Sequence, residues 1–175
     1  KSNGQIAEEF SAFAISDGKT FQIIGFAQDH KRIFNEDKGD NTGGIGVSSP
    51  PLVVTKQIKQ QVNQIFEKVF QQLRVKNTPY TGILYLGGIL IGKKVYVVEF
   101  NARWGDPEAE ALIPSMKNDL YELSQAVARG SLEQLKITKQ VMLKEAKRGA
   151  MEIQKQSEMM AEKYRQETLT RVKAE

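Results

Sequence analysis

The chain has 175 residues, a formal net charge of +4, a single histidine and no cysteine. That composition excludes disulfides, thiol catalysis, cysteine-ligated metals, multi-histidine zinc sites and any histidine-dependent triad. No apolar run reaches membrane-spanning length, and Lys1-Ser2-Asn3-Gly4-Gln5 lacks the apolar core of a signal peptide, so a cytoplasmic protein with no membrane partner is expected.

Phe10 to Ile15 and Phe21 to Phe26 are apolar runs across Asp17-Gly18, which predicts a β-hairpin. Ala27-Gln28-Asp29-His30-Lys31-Arg32 is charged directly after a strand, and its composition reads as a solvated loop. The lone His30 reads as a structural hydrogen-bonder and is assigned no catalysis. The stretch from Asp37 to Gly46 is dense in glycine. It predicts an irregular loop whose backbone N–H groups could approach an anion, or a flexible hairpin connection. It is neither a Walker loop nor a dinucleotide fingerprint.

Thr55 is a plausible N-cap for a helix to Val75, with Ile58, Val62, Ile65, Phe66, Val69, Phe70 and Leu73 along one face. Tyr80 to Ile91, Gly92-Lys93-Lys94 and Val95 to Asn101 read as a second hairpin. A helix beginning at Pro107 and one from Asp119 to Val127, its Leu120, Leu123, Val127 and Ala128 inward and Gly130 at its end, follow.

Val95 to Val98 reads as a buried strand that delivers Glu99, Asn101 and Arg103. By strand alternation these three point one way, and Val98, Phe100 and Ala102 the other. Glu and Asn supply hard oxygen ligands of the kind magnesium takes, and Arg a planar fork for phosphate or carboxylate. A solvated polar face on an edge strand is the competing reading. Residues 1–135 together predict an α+β domain, an antiparallel sheet with helices on one face, large enough to bury a core of its own.

Charge is uneven along the chain. Residues 1–133 hold 15 basic and 15 acidic side chains, and residues 134–175 hold 10 basic and 6 acidic. The body carries no electrostatic footprint for nucleic acid, and nucleic-acid binding by the tail is disfavoured by its mixed charges. From Leu135 the character changes. Leu143, Ala146, Ala150, Ile153, Ser157, Met160 and Tyr164 recur at spacings of three and four, predicting that residues 136–175 form one long helix with a thin coiled-coil seam. Self-association or partner pairing through Ile153, Met160 and Tyr164 is expected of it.

Four stretches taken together resemble phosphoribosylamine–glycine ligase, an ATP-grasp family of purine biosynthesis. They are Gln28 to Arg32, Gly39-Asp40-Asn41-Thr42-Gly43-Gly44-Ile45-Gly46, Tyr80 to Tyr85, and Glu99-Phe100-Asn101-Ala102-Arg103-Trp104-Gly105-Asp106-Pro107-Glu108. Ala7-Glu8-Glu9-Phe10-Ser11 resembles a further strand start of that family. The chain departs from the family pattern at Asp40 and Ile45, where proline and methionine are usual.

The resemblance implies the second subdomain of an ATP-grasp fold over roughly residues 8–135. It also implies Mg-ATP-dependent (or Mn-dependent) amide formation between glycine and 5-phosphoribosylamine through an acyl phosphate. By that resemblance Glu99 and Asn101 match metal ligands, and Arg103, Asp29 and Lys31 match catalytic positions. Asn41, Thr42, Gly43 and Gly44 match the ligand-binding loop. Nothing in the chain corresponds to the family's N-terminal domain, first ATP-grasp half or C-terminal domain. The chain alone is therefore expected not to turn over, with a non-catalytic scaffold or helix-mediated interaction module as the alternative.

Overall fold

The computed structural model describes residues 7–34 and 38–139. Five strands form one antiparallel sheet in the order β3-β2-β1-β4-β5. They are β1 (Ala7–Asp17), β2 (Phe21–Phe34), β3 (Lys38–Ser48), β4 (Thr81–Ile91) and β5 (Lys94–Asn101). Both expected hairpins are present. The β1–β2 turn is held by Asp17, whose Oδ1 accepts from the backbone N–H of Lys19 at 2.9 Å and of Thr20 at 2.8 Å.

Helix α1 (Lys56–Val75) starts at the predicted cap, with Thr55 Oγ1 accepting from Ile58 N. Its apolar stripe, Ile58, Val62, Phe66 and Phe70, is buried against Phe10, Ala12, Ala14, Leu84 and Leu86 of the sheet. Two shorter helices, α2 (Glu108–Leu112) and α3 (Leu120–Ala128), precede a 3-10 turn at Leu132–Gln134. They bury Leu112, Met116, Leu123 and Leu132 against Phe13, Ile15, Ile24 and Tyr85.

Alternate residues of β1 thus enter two separate cores, and helices cover both faces of the sheet. This corrects the expected one-sided arrangement. β1 is the central strand, and Phe10 to Ile15 is apolar or small at both parities, so neither face of it is left for water. Leu120, expected inward, is 39% exposed, and Ala126 is buried in its place.

Two stretches read as loops are strands. Gln28 to Arg32 continues β2, and the glycine-rich stretch is β3, paired with it at Gln28–Ser48, Asp29–Val47, His30–Gly46 and Arg32–Asn41. Between the last two pairs the register slips, so Thr42 to Ile45 bulge out of the ladder opposite Lys31. Gly43 and Gly44, with φ of 86° and 141°, make that excursion possible. The glycines serve an unusual backbone, as their density suggested, but inside a strand.

Residues 136–139 are not helical. Ile137 N donates to Gln22 Oε1, Thr138 N donates to Asn118 Oδ1, and Met116 bridges Lys139. The body therefore continues to Lys139. The predicted long helix beyond it, with its seam, lies outside the described residues. No helix among the described residues is long and apolar enough to cross a membrane.

Candidate functional site

β5 is an edge strand, and only Val95 of its valines is buried. Val97 and Val98 are 40% and 63% exposed, which corrects the reading of a buried strand. Its alternation also breaks. Val97 pairs with Gly88 and Glu99 with Gly87, so Val98 is a bulge. The consequence for the site is direct. Val95, Val97, Glu99 and Asn101 have the same parity, and a regular strand would aim all four toward α1. The extra residue shifts the parity, so Val95 packs under α1 while Glu99 and Asn101 face the opposite side.

There Asn101 Nδ2 donates to Glu99 Oε1 at 2.9 Å, which confirms that the two share a face. Arg103 lies past the end of the strand, in a bend, and its guanidinium donates to the carbonyl of Trp104 at 2.8 Å. No hydrogen bond or ion pair among the described residues joins it to Glu99 or Asn101.

A row of paired residues crosses the sheet on this face: Ala27 of β2, Ser11 of β1, Gly87 of β4 and Glu99 of β5. Three inter-strand steps separate its ends by roughly 14 Å. The middle of the row is small, and a Cβ at Gly87 would come within 3.2 Å of the Glu99 side chain. At the β2 end stand Asp29 and Lys31. Lys31 Nζ is 3.5 Å from Glu9 Oε2 and 3.8 Å from Asp29 Oδ2. The Thr42 hydroxyl donates to the Lys31 carbonyl at 2.9 Å, tying the glycine bulge to the same spot. A Cβ on Gly44 would meet Asp29 Oδ1 at 3.0 Å and the Pro107 ring at 2.8 Å. Asp29, Lys31, Thr42, Gly43 and Gly44 are therefore brought together, as the backbone of Asn41 also is by its pairing with Arg32.

Asp29 is the anomaly of this group. Its side chain is 6% exposed, and Oδ1 is buried without a hydrogen-bond partner among the described residues. Burial raises its pKa above the ordinary carboxylate value. Lys31 and His30 oppose that shift, and Glu108 and Glu9 add to it. An acid buried with an idle oxygen is unfavourable unless something else supplies the donor.

Three further residues of this face carry polar chemistry that sequence reasoning did not single out. Glu108, at the start of α2, is 2% exposed, and its Oε1 accepts from the Ser11 hydroxyl at 2.7 Å. Ser11 Oγ lies 2.9 Å from the Tyr85 hydroxyl. Serine has one O–H, here given to Glu108, so the Tyr85 phenol donates to Ser11. Burial pushes the Tyr85 phenol up to about 12, so it stays a donor at neutral pH. Its ring stacks on Phe13 with centroids 4.6 Å apart. The signal for Glu108 was its spacing of four from Leu112, since both are inward on α2.

Among the described residues no three His, Cys, Asp or Glu side chains converge as a metal cage. Glu99 and Asn101 offer one carboxylate and one carboxamide. Such a donor pair suits a hard divalent cation, which takes oxygen ligands. On the opposite face of the sheet a groove of about 630 Å³ runs along the first turns of α1, lined by Phe26, Lys56 and Lys59. The Glu99 end of the row stands open.

Residues 5–109 match the family model described as phosphoribosylglycinamide synthetase, ATP-grasp (A) domain. The chain belongs to that family. A phosphoribosylamine–glycine ligase from Leptospira interrogans is 42% identical over 128 residues, covering 72% of this chain and 30% of that protein. The crystal structure of phosphoribosylamine–glycine ligase from Thermotoga maritima is similar at a TM-score of 0.65 and 31% identity, over 72% of this chain and 32% of that one. The Kluyveromyces lactis urea carboxylase shares the fold at a TM-score of 0.58 and 16% identity. This ATP-grasp domain thus spans just under a third of the ligases it matches. Its two polar groups, Asp29 with Lys31 and Glu99 with Asn101, stand on one face of its sheet.

Proposed function

We propose that this chain carries the metal- and substrate-facing wall of an ATP-grasp ligase site of the phosphoribosylamine–glycine ligase type. In that reading glycine's carboxylate is phosphorylated by ATP with release of ADP. The amine of 5-phosphoribosylamine then attacks the acyl phosphate, forming the amide and releasing phosphate. The observation that carries the reading is the idle Oδ1 of Asp29, a buried acceptor beside the glycine bulge and across the sheet from Glu99 and Asn101.

In this reading Asp29 accepts a hydrogen bond from the attacking amine. Lys31 and Arg103 place positive charge toward phosphate oxygens. Asn41 to Gly44 line the ligand beside them. Glu99 and Asn101 would hold magnesium or manganese, which when bound would neutralise charge on phosphate. Gly87, with no side chain, leaves room for a ligand beside Glu99, while Ser11 lies buried under Glu108. Catalysis by positioning needs both walls of a cleft, so this chain alone binds Mg-ATP weakly and does not turn over.

Calorimetric titration of the purified chain with ATP tests this, with and without magnesium. Magnesium-dependent binding that falls about tenfold or more in Glu99→Gln is expected. Binding indifferent to magnesium, or unchanged in the variant, would remove Glu99 from the site. Glycine- and phosphoribosylamine-dependent ATP hydrolysis by the chain alone would overturn the claim that it is half a site.

A further inference from the structure

Glu108, at the start of a five-residue helix, is 2% exposed, and the turn it closes packs on Gly44 beside Asp29. One of its oxygens takes the Ser11 hydroxyl, which in turn takes the Tyr85 phenol, so a chain of hydrogen bonds runs from β4 through β1 to α2. The other oxygen fills the space where Gly105 would carry a Cβ, which closes the Gly105–Glu108 turn tightly on itself. Pro107, in the middle of that turn, packs against Gly44, and Gly44 packs against Asp29 Oδ1. The groups facing Asp29 are Lys31, His30, Glu9 and Glu108 itself.

We propose that Glu108 is a positioning residue for Asp29. Held by Tyr85 and Ser11, it fixes the Gly105–Glu108 turn against Gly44. It thereby keeps the Asp29 carboxyl turned so that Oδ1 faces an incoming amine rather than a neighbouring donor. The assignment rests on the functional reading above for its ligand, an amine nucleophile, but not for its geometry. The nearby carboxyl of Glu108 also disfavours charge on Asp29, adding to the effect of burial.

The test follows the Asp29 side-chain carbon and the Gly44 amide by NMR in the full chain from pH 3 to 8. Wild type, Glu108→Gln and Tyr85→Phe are compared. In Glu108→Gln the proton affinity of Asp29 falls about threefold or more, and the Gly44 amide moves. Tyr85→Phe keeps the ring stack but removes the phenol that anchors Ser11, so the Gly44 amide moves there too. A residue of purely structural importance would lower the melting temperature in either variant without changing the Asp29 titration. That result, or an unchanged Gly44 amide in a folded Tyr85→Phe, overturns the proposal. If Glu108→Gln does not fold, Tyr85→Phe decides alone through the Gly44 amide. Failure of wild type to bind Mg-ATP would overturn the functional reading while leaving these spectra interpretable, so the two failures are distinguishable.

Discussion

An amide would be easier to bury at position 29 than the acid that stands there. Burial raises the Asp29 pKa above its ordinary value of 3.8, with Lys31 and His30 only partly opposing it. The native state therefore holds that proton more tightly than the unfolded chain does. Stability falls as pH rises from the unfolded value through the raised folded one. The 3.8 Å pair with Lys31 is too loose to reverse this. Asp29→Asn is expected to melt about 2–4 °C higher than wild type at pH 7. The gain should vanish below pH 3.8, where both side chains are neutral. Melting curves at the two pH values check it. A destabilised Asn variant at pH 7 would mean that the carboxylate has a partner in the fold. Stability sacrificed at one buried acid is what a ligand-facing group shows.

At the scale of elements, the Val98 bulge decides which way the site faces. Deleting Val98 removes the extra residue and leaves Val97 and Glu99 paired with Gly88 and Gly87 in a regular ladder, so Glu99 and Asn101 keep the face opposite Val95. Mg-ATP binding in that deletion is expected to stay within about threefold of wild type. The same titration measures it, and a loss as large as in Glu99→Gln would show that parity does not set the site. That bulge also marks where sequence reading stopped. The shared face of Glu99 and Asn101 was legible from spacing, and so were α1 with its cap and both hairpins. The bulge was not, because Val97-Val98 fits the alternating pattern at either parity.

The glycine stretch had the opposite problem. Its composition signalled left-handed backbone correctly at Gly43 and Gly44, but the pairing with β2 depends on residues distant in sequence. Asp29 read as solvated because its local composition is polar. What buries it is the bulge of β3, fifteen residues on. Glu108, part of the Glu99 to Glu108 stretch, was given no role for the same reason, since it is 97 residues from Ser11, which is 74 residues from Tyr85.

For the molecule as a whole, two cores share one central strand, and the second is sealed by long-range hydrogen bonds at the far end from the site. Asp17 Oδ2 accepts from Leu132 N at 2.9 Å, joining the β1–β2 turn to the chain after α3. Burial alone would raise the Asp17 pKa, but the backbone N–H groups of Thr20, Leu132 and Lys19 outweigh it and hold the carboxyl below 3.8. The stability from this group is therefore complete above the unfolded value and lost as pH falls through the lower folded one. Asp17→Asn should cost about 1–3 kcal/mol at pH 7. The difference from wild type should shrink below pH 3.8, read by denaturant titration across that range. A constant difference would show that the charge is irrelevant.

The central claim is that the face bearing Gly87, Glu99 and Asn101 is a metal–phosphate floor. Paramagnetic broadening of amide signals by manganese bound to ADP tests it most directly. The account predicts broadening at Gly87, Glu99 and Asn101, fading through Ser11 toward Asp29, with Lys68 and Gln71 on the outer face of α1 unaffected. Broadening centred on α1, or spread evenly over the surface, would contradict it.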